Sequence, residues 1–225
     1  MKKLILVGAG GHCRSVIDSI RSADEFFIEG ILDLPERVGS FVDGVEVIGV
    51  DAQMKAYFNK GIKYAFLSLG STGNICLRTH LYGQMLRSGF EIPSIVDATA
   101  VLARNVRMGR GVFVGKKAVV NAGTCIGEAA IVNTAAVIEH DCSVGDFAHI
   151  APGAVLCGGV KVGFGSHIGA GSVIIQGVHI GKRSLIGAGA VVLSSIEAHS
   201  LAYGNPCKVA EKIEERKRRI GEKDE

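Results

Sequence analysis

The sequence has no tryptophan, and only nine Phe and four Tyr accompany its 31 Gly. A core built on large aromatic rings is therefore excluded, and narrow packing with many tight turns is expected. An excess of one charge is also missing: 25 Lys and Arg face 22 Asp and Glu, a net charge of +3. That balance offers no broad basic surface for nucleic acid. The six Cys, at 13, 76, 125, 142, 157 and 207, form no C-x-x-C and no zinc spacing. They read as reduced thiols of a cytoplasmic protein, with no metal among the expected ligands. Long apolar runs are absent too. The run Leu4 to Val7 is too short for a signal peptide, and no other stretch reaches a transmembrane length. A soluble cytoplasmic chain without membrane insertion is expected.

What the sequence has is a period of six. From Val96 to Val192 every sixth residue is aliphatic or Met, as in Val132, Ile138, Val144, Ile150 and Leu156. Four residues after each stands a small residue or Val, as in Ala136, Cys142, Ala148 and Ala154. Gly often follows the aliphatic position, as at 109, 115, 127, 145, 163, 169, 181 and 187. No insertion interrupts the run. The physical reading is a parallel β-helix of short, flat strands, three hexads to a triangular coil. The aliphatic residues point inward, the small ones fit at the corners, and Gly relieves backbone strain beside them.

The first ninety residues read differently. "KLILVGAGGHCRSVIDSI" is strand, glycine turn, helix, and "FFIEGILD" is a second strand ending in Asp33. A helix over 51–59, a strand at "KYAFLSLG" and a helix ending at Gly89 complete a β-α-β series. A small doubly wound, Rossmann-like α/β domain over 1–92 is expected, followed by the β-helix over 93–207. The tail 208–225, "KVAEKIEERKRRIGEKDE", reads as a short amphipathic helix with a mixed-charge, solvated face. The turn "GAGGH" is suited to phosphate, because backbone N–H groups gather at a helix start. Asp33 follows at the distance of a ribose-binding carboxylate. Cys13 stands where the dinucleotide fingerprint needs a third Gly, so the pattern suggests a nucleotide but not NAD.

A Rossmann-like domain leading directly into hexapeptide repeats resembles the sialic acid O-acetyltransferase (NeuD) family. That family includes the UDP-4-amino-sugar N-acetyltransferases of the PglD type. The segments carrying the likeness are "GAGGH", the stretch 133–163 "NTAAVIEHDCSVGDFAHIAPGAVLCGGVKVG", and "YGNPCKV". The resemblance implies a left-handed β-helix, a homotrimer with sites in the clefts between prisms, and acetyl-coenzyme A as cosubstrate. It implies that His140 is the catalytic base and that Asp141 supports it. It places His149, Gly158 and Ala188 at the coenzyme, and Gly10, Gly11, His12 and Asp33 at the nucleotide sugar.

The chemistry agrees with those assignments. A His of ordinary pKa, about 6.5, can take a proton from an attacking amine or hydroxyl near neutral pH. A carboxylate on its other nitrogen would fix the tautomer. His140 is two residues beyond Ile138 and is expected to project outward, with Glu139 turned away from it. Asn133 is a candidate for orienting the acceptor. His149 and His167, eighteen residues apart, are expected to stack. Two alternatives compete with N-acetylation of a nucleotide-linked amino sugar. One is O-acetylation of a sialic-acid-like sugar. The other is a zinc hydratase like the γ-class carbonic anhydrases, which would need His140, His149 and His167 to converge.

Overall fold

A computed structural model describes residues 1–213. At the N-terminus the strands β1 (Lys2–Val7), β2 (Phe26–Asp33), β3 (Phe41–Val42), β4 (Val45–Val50) and β5 (Tyr64–Leu67) form one sheet in the order β3-β4-β2-β1-β5. All its pairings are parallel except that of β3 with β4. The interior strand β1, between β2 and β5, is an apolar run buried on both faces from Leu4 to Val7. Helices α1 (Gly11–Ala23), α2 (Met54–Asn59) and α3 (Cys76–Ser88) flank the sheet. Gly89 ends α3 in the left-handed conformation, as its position in the sequence suggests. The β3–β4 hairpin is an element the sequence reading did not anticipate.

From Ile95 onward the chain coils into a left-handed parallel β-helix. Its strands are two residues long, and residue i pairs with residue i+18, as Val119 with Val137 and Cys125 with Ser143. Three sheets make the walls of a triangular prism. The first runs from Val101–Leu102 to Val191–Val192, and the second from Arg107–Met108 to His179–Ile180. The third starts at Ile95–Val96 and continues past Leu185–Ile186. The aliphatic position and the small position both lie inside, and Ile138, Ile150, Ala136 and Ala148 are fully buried.

The reading of the glycines needs correction. Those that follow the aliphatic residue are not in the left-handed region. They are required by close stacking: a Cβ on Gly145 would lie 2.7 Å from the backbone nitrogen of Phe164 on the next coil. The left-handed residues fall elsewhere, at the second position of most corners, where Gly159, Gly171 and Asp141 stand. The tail is corrected too. Lys208–Lys212 is a strand, antiparallel to Ser200–Tyr203, where a helix was expected. The ladder groups on the outer edge of Ser200–Tyr203 hold this segment extended, which outweighs its helical pattern. The rest of the anticipated helix lies outside the described residues.

The N-terminal α/β layer covers the third sheet and its two corners. Phe113 and Ile131 of that sheet share an apolar cluster with Leu4, Val16 and Ile17. Lys116 pairs with Asp18 at 2.7 Å at one corner. At the other, Arg78 is 2 % exposed and donates to the Ala129 carbonyl at 2.7 Å.

Candidate active site

His140 and Asp141 occupy the corner between the first and second sheets, since they follow Val137–Ile138 and precede Ser143–Val144. This corner is opposite the wall that the N-terminal layer covers. The imidazole is exposed, as expected, and its Nδ1 lies 2.9 Å from Asp141 Oδ2. A ring nitrogen facing a carboxylate carries the proton, so Nδ1–H donates and Nε2 keeps its lone pair. The hydrogen bond to Asp141 raises the His140 pKa above its ordinary value, and the Asp141 and Glu139 charges add to the rise. Glu139 therefore acts on the ring through space, although it makes no contact. Asp141 reaches the ring because it adopts φ 59° at the corner. Aspartate tolerates that conformation better than most residues.

Gly158 stacks one coil above His140. A Cβ there would fall 2.6 Å from His140 Nε2. The backbone N–H groups of Gly158 and Ala188, two of the three residues expected at the coenzyme, have no partner among the described residues. Either can donate to an incoming acyl or pantetheine oxygen.

A second cluster lies under the N-terminal layer. His149 is buried at 8 % exposure on the third sheet. Its Nδ1 donates to the Ser71 carbonyl at 2.7 Å, and its Nε2 accepts from Asn133 Nδ2 at 3.2 Å. Asn133 Oδ1 accepts in turn from the Thr134 N–H at 2.8 Å. Desolvation is the main cause that lowers the His149 pKa to about 4; His167 and Arg78 lower it further, while the Ser71 bond opposes them. His149 and His167 meet edge to face at 4.8 Å, so the expected stack is present. His12 leaves α1 toward the same region, with its ring against Phe113 at 4.8 Å. Burial, with His149 and Arg78 nearby, lowers its pKa to about 3. It is neutral and brings no charge to a phosphate. His12 Nε2, His167 Nδ1 and two Arg78 nitrogens are buried without a partner among the described residues.

The glycine turn is open. A Cβ on Gly10 or Gly11 would meet nothing within 4 Å, and Gly10 has an extended backbone at φ −75°. Neither packing nor left-handed strain demands glycine there, although Gly10 is the N-cap of α1, where glycine is favoured. Gly8 differs: its φ of +100° and its contact with Leu69 make it structural. Asp33 anchors this turn. Its Oδ2 accepts the Ala9 N–H at 2.6 Å and its Oδ1 accepts the Leu34 N–H at 2.8 Å. Oδ2 also faces the Arg37 guanidinium at 3.7 Å, and Oδ1 keeps a lone pair for another donor.

The sequence-derived residues therefore form two groups that the chain does not bring together, and Ala188 stands apart from His140, at the corner between the third and first sheets. His140, Asp141 and Gly158 sit at one corner. Gly10, Gly11, His12, Asp33, Asn133 and His149 sit where the α/β layer meets the opposite wall. His140 thus does not converge with His149 and His167, and the described residues contain no group of three His, Cys, Asp or Glu able to hold a metal. Within one chain, therefore, the described residues do not form the zinc arrangement of the hydratase alternative. Gly123, Ser71 and Arg78 were missed. The eighteen-residue coil points to Gly123, which lies beneath Asp141. Ser71 acts through a backbone carbonyl and leaves no signal in the sequence.

Comparison with known proteins decides the family. PerB from Caulobacter crescentus, solved in complex with CoA and GDP-perosamine, is 34% identical, with a TM-score of 0.88 over 94% of this chain and 98% of that one. This chain belongs to the PglD-type sugar N-acetyltransferases. The acetyltransferase domain of PglB from Neisseria gonorrhoeae FA1090, in complex with acetyl coenzyme A, is 32% identical. Its TM-score is 0.85 over 93% of this chain and 99% of that one. WeeI from Acinetobacter baumannii AYE, at 24% identity and a TM-score of 0.72, shares the fold over 93% of this chain and its own full length. Residues 3–84 match the PglD N-terminal domain, and residues 159–194 match the bacterial transferase hexapeptide family of six repeats. No curated protein sequence matches the chain. Membership in the PglD-type family makes it an acetyl-CoA-dependent sugar acetyltransferase. No helix among its described residues is long and apolar enough to cross a membrane.

Proposed function

We propose that this PglD-type enzyme transfers acetyl from acetyl-coenzyme A to the amino group of a nucleotide-linked amino sugar, with His140 as general base. The observation that carries the reading is the His140–Asp141 pair at 2.9 Å, which leaves the Nε2 lone pair free. The amine nitrogen attacks the thioester carbonyl, and Nε2 takes the proton it sheds. Asp141 stabilises the imidazolium that forms. The Gly158 N–H donates to the carbonyl oxygen as negative charge develops there. Collapse of the tetrahedral adduct releases the coenzyme thiolate, which recovers the proton.

In this reading residues 1–92 hold the nucleotide sugar. The open turn at Gly10 and Gly11 accepts its diphosphate at the start of α1, and Asp33 accepts a ribose hydroxyl. Asn133 and neutral His149, reached from the same turn, orient the sugar or the acyl group beside it. Residues 93–207 carry the acetyl chemistry. The two groups of residues lie on opposite sides of one prism, so a single chain is incomplete. A homotrimer around a threefold axis lets His140 of one protomer meet the nucleotide-binding layer of the next. Sedimentation equilibrium of the native protein checks the assembly, and a monomer at micromolar concentration rejects it.

The decisive experiment is a thioester-release assay with acetyl-coenzyme A and UDP-, dTDP- and GDP-linked amino sugars, beside free and CMP-linked sialic acids. Release with an amino sugar, and an amide in the product, supports the reading. Release only with sialic acids moves the activity to O-acetylation. Release with none refutes both.

A further inference from the structure

His140 and Asp141 are exposed side chains on a corner, and neither is fixed by burial. Their neighbours one coil away hold them instead. Gly158, eighteen residues after His140, lies over the imidazole: an added Cβ would fall 2.6 Å from Nε2, 2.7 Å from Cε1 and 3.2 Å from Cδ2. Gly123, eighteen residues before Asp141, lies against the carboxylate. A Cβ there would collide with Asp141 Oδ1 and stand 3.4 Å from its Cγ.

Backbone conformation does not explain Gly158. The position before the left-handed corner residue is occupied at other corners by Arg110, Lys116, Glu128, Thr134, Phe164 and Lys182. Among the fourteen corners with a left-handed second residue, only this one has glycine in the first place. Its φ is not in the left-handed region, and the coil below it carries His140. Gly123 is different, because its φ of +76° by itself favours glycine.

We propose that Gly158 and Gly123 are positioning residues whose missing side chains form the seat of the His140–Asp141 pair. The proposal rests on the reading of His140 as general base and extends it to the neighbouring coils. A Cβ at 158 forces the ring back by roughly 1 Å to reach ordinary contact. The Nδ1–Oδ2 separation of 2.9 Å is already near the middle of the hydrogen-bonding range, which ends at about 3.2 Å. A shift of that size separates the pair and moves Nε2 away from the acceptor.

The test is Gly158→Ala, which keeps the backbone N–H that faces the coenzyme. His140 is followed by NMR of ¹³Cε1-histidine protein, its resonance assigned by its loss in His140→Ala. The expected result is a His140 pKa lowered to the value found in Asp141→Asn. With it, kcat should fall by about 10²-fold while the acetyl-coenzyme A KM changes little. In the double variant with Asp141→Asn the two effects should be less than additive. An unchanged His140 pKa with a raised coenzyme KM overturns the proposal and leaves Gly158 as a coenzyme contact only. Gly123→Ala supplies a second reading, against Gly177→Ala as control, where φ is +70° and a Cβ meets nothing. Both carry the backbone strain, and only Gly123→Ala should lower the His140 pKa. Equal pKa values in these two overturn the seat for Asp141. If His140→Ala retains activity the base assignment fails, yet the NMR comparison still decides whether the glycines seat the ring.

Discussion

Acid should loosen the union of the α/β layer and the prism through buried histidines, before most carboxylates are protonated. His149 titrates at about 4 in the folded chain, against an ordinary 6.5. Above pH 6.5 the residue is neutral folded or unfolded, and its contribution to stability is whole. As pH falls below 6.5 the unfolded chain takes up the proton and the folded one does not, so stability declines until about pH 4. The slope approaches about 1.4 kcal/mol per pH unit, and the loss at pH 5 relative to pH 7 is about 2 kcal/mol. His12, held at about 3, acts in the same direction over the same window. The two lower each other's affinity for protons, so their losses do not simply add. The groups facing them are Arg78 and His167, which oppose protonation, and the Ser71 carbonyl, which favours it. The assay is chemical denaturation of the native enzyme at pH 7, 6 and 5, with His149→Gln alongside. Glutamine keeps a polar group near the Ser71 carbonyl and removes the titration. Wild type should lose about 2 kcal/mol more than the variant between pH 7 and 5. Parallel losses would show that His149 is not held neutral by burial, and the reasoning would fail.

The remaining expectations concern the proposed chemistry. His140→Ala should lower kcat/KM by about 10²–10⁴-fold and leave assembly intact, because its side chain is not packed in the prism. Asp141→Asn should cost less and move the acidic limb of the pH–rate profile to lower pH, since the hydrogen bond that raises the His140 pKa is weakened; an unmoved limb would separate Asp141 from catalysis. Gly10→Val should raise the nucleotide-sugar KM far more than the acetyl-coenzyme A KM, with little loss of stability, because its side chain meets only open space. Co-assembling His140→Ala with Gly10→Val tests a shared site: random trimers should regain roughly a quarter of wild-type sites if each site joins two chains, and none if each lies within one.

The coils of the prism were legible, because every sixth residue is an aliphatic one facing a narrow interior, while its left hand came from the family resemblance alone. The glycine turn and the outward His140 followed from the same local rules. What stayed hidden depended on contacts between remote segments. In the β3–β4 hairpin, β3 has only two residues, too few to show a period, although its partner β4 does alternate buried and more exposed positions. The tail carries a helical pattern, yet the free edge of Ser200–Tyr203 draws Lys208–Lys212 into a ladder. The burial of His149 was not legible, since the wall it stands on is covered by a layer far upstream in the sequence. The glycines after each aliphatic residue were visible, but their reason was not: it is the backbone of the coil above, which only the folded stack supplies.

That last strand has a consequence for the molecule among many copies of itself. A stack of identical coils presents, at its open end, a template for a further coil, and a parallel ladder can continue from one molecule into another. Lys208–Lys212 runs in the opposite direction across Ser200–Tyr203 and carries two lysines at its ends. Among the described residues the third wall therefore ends on a reversed edge with lysines at both ends, which an eighteen-residue parallel coil cannot extend. The repeat that builds the enzyme would also build filaments, and on this wall the chain's own return closes the file.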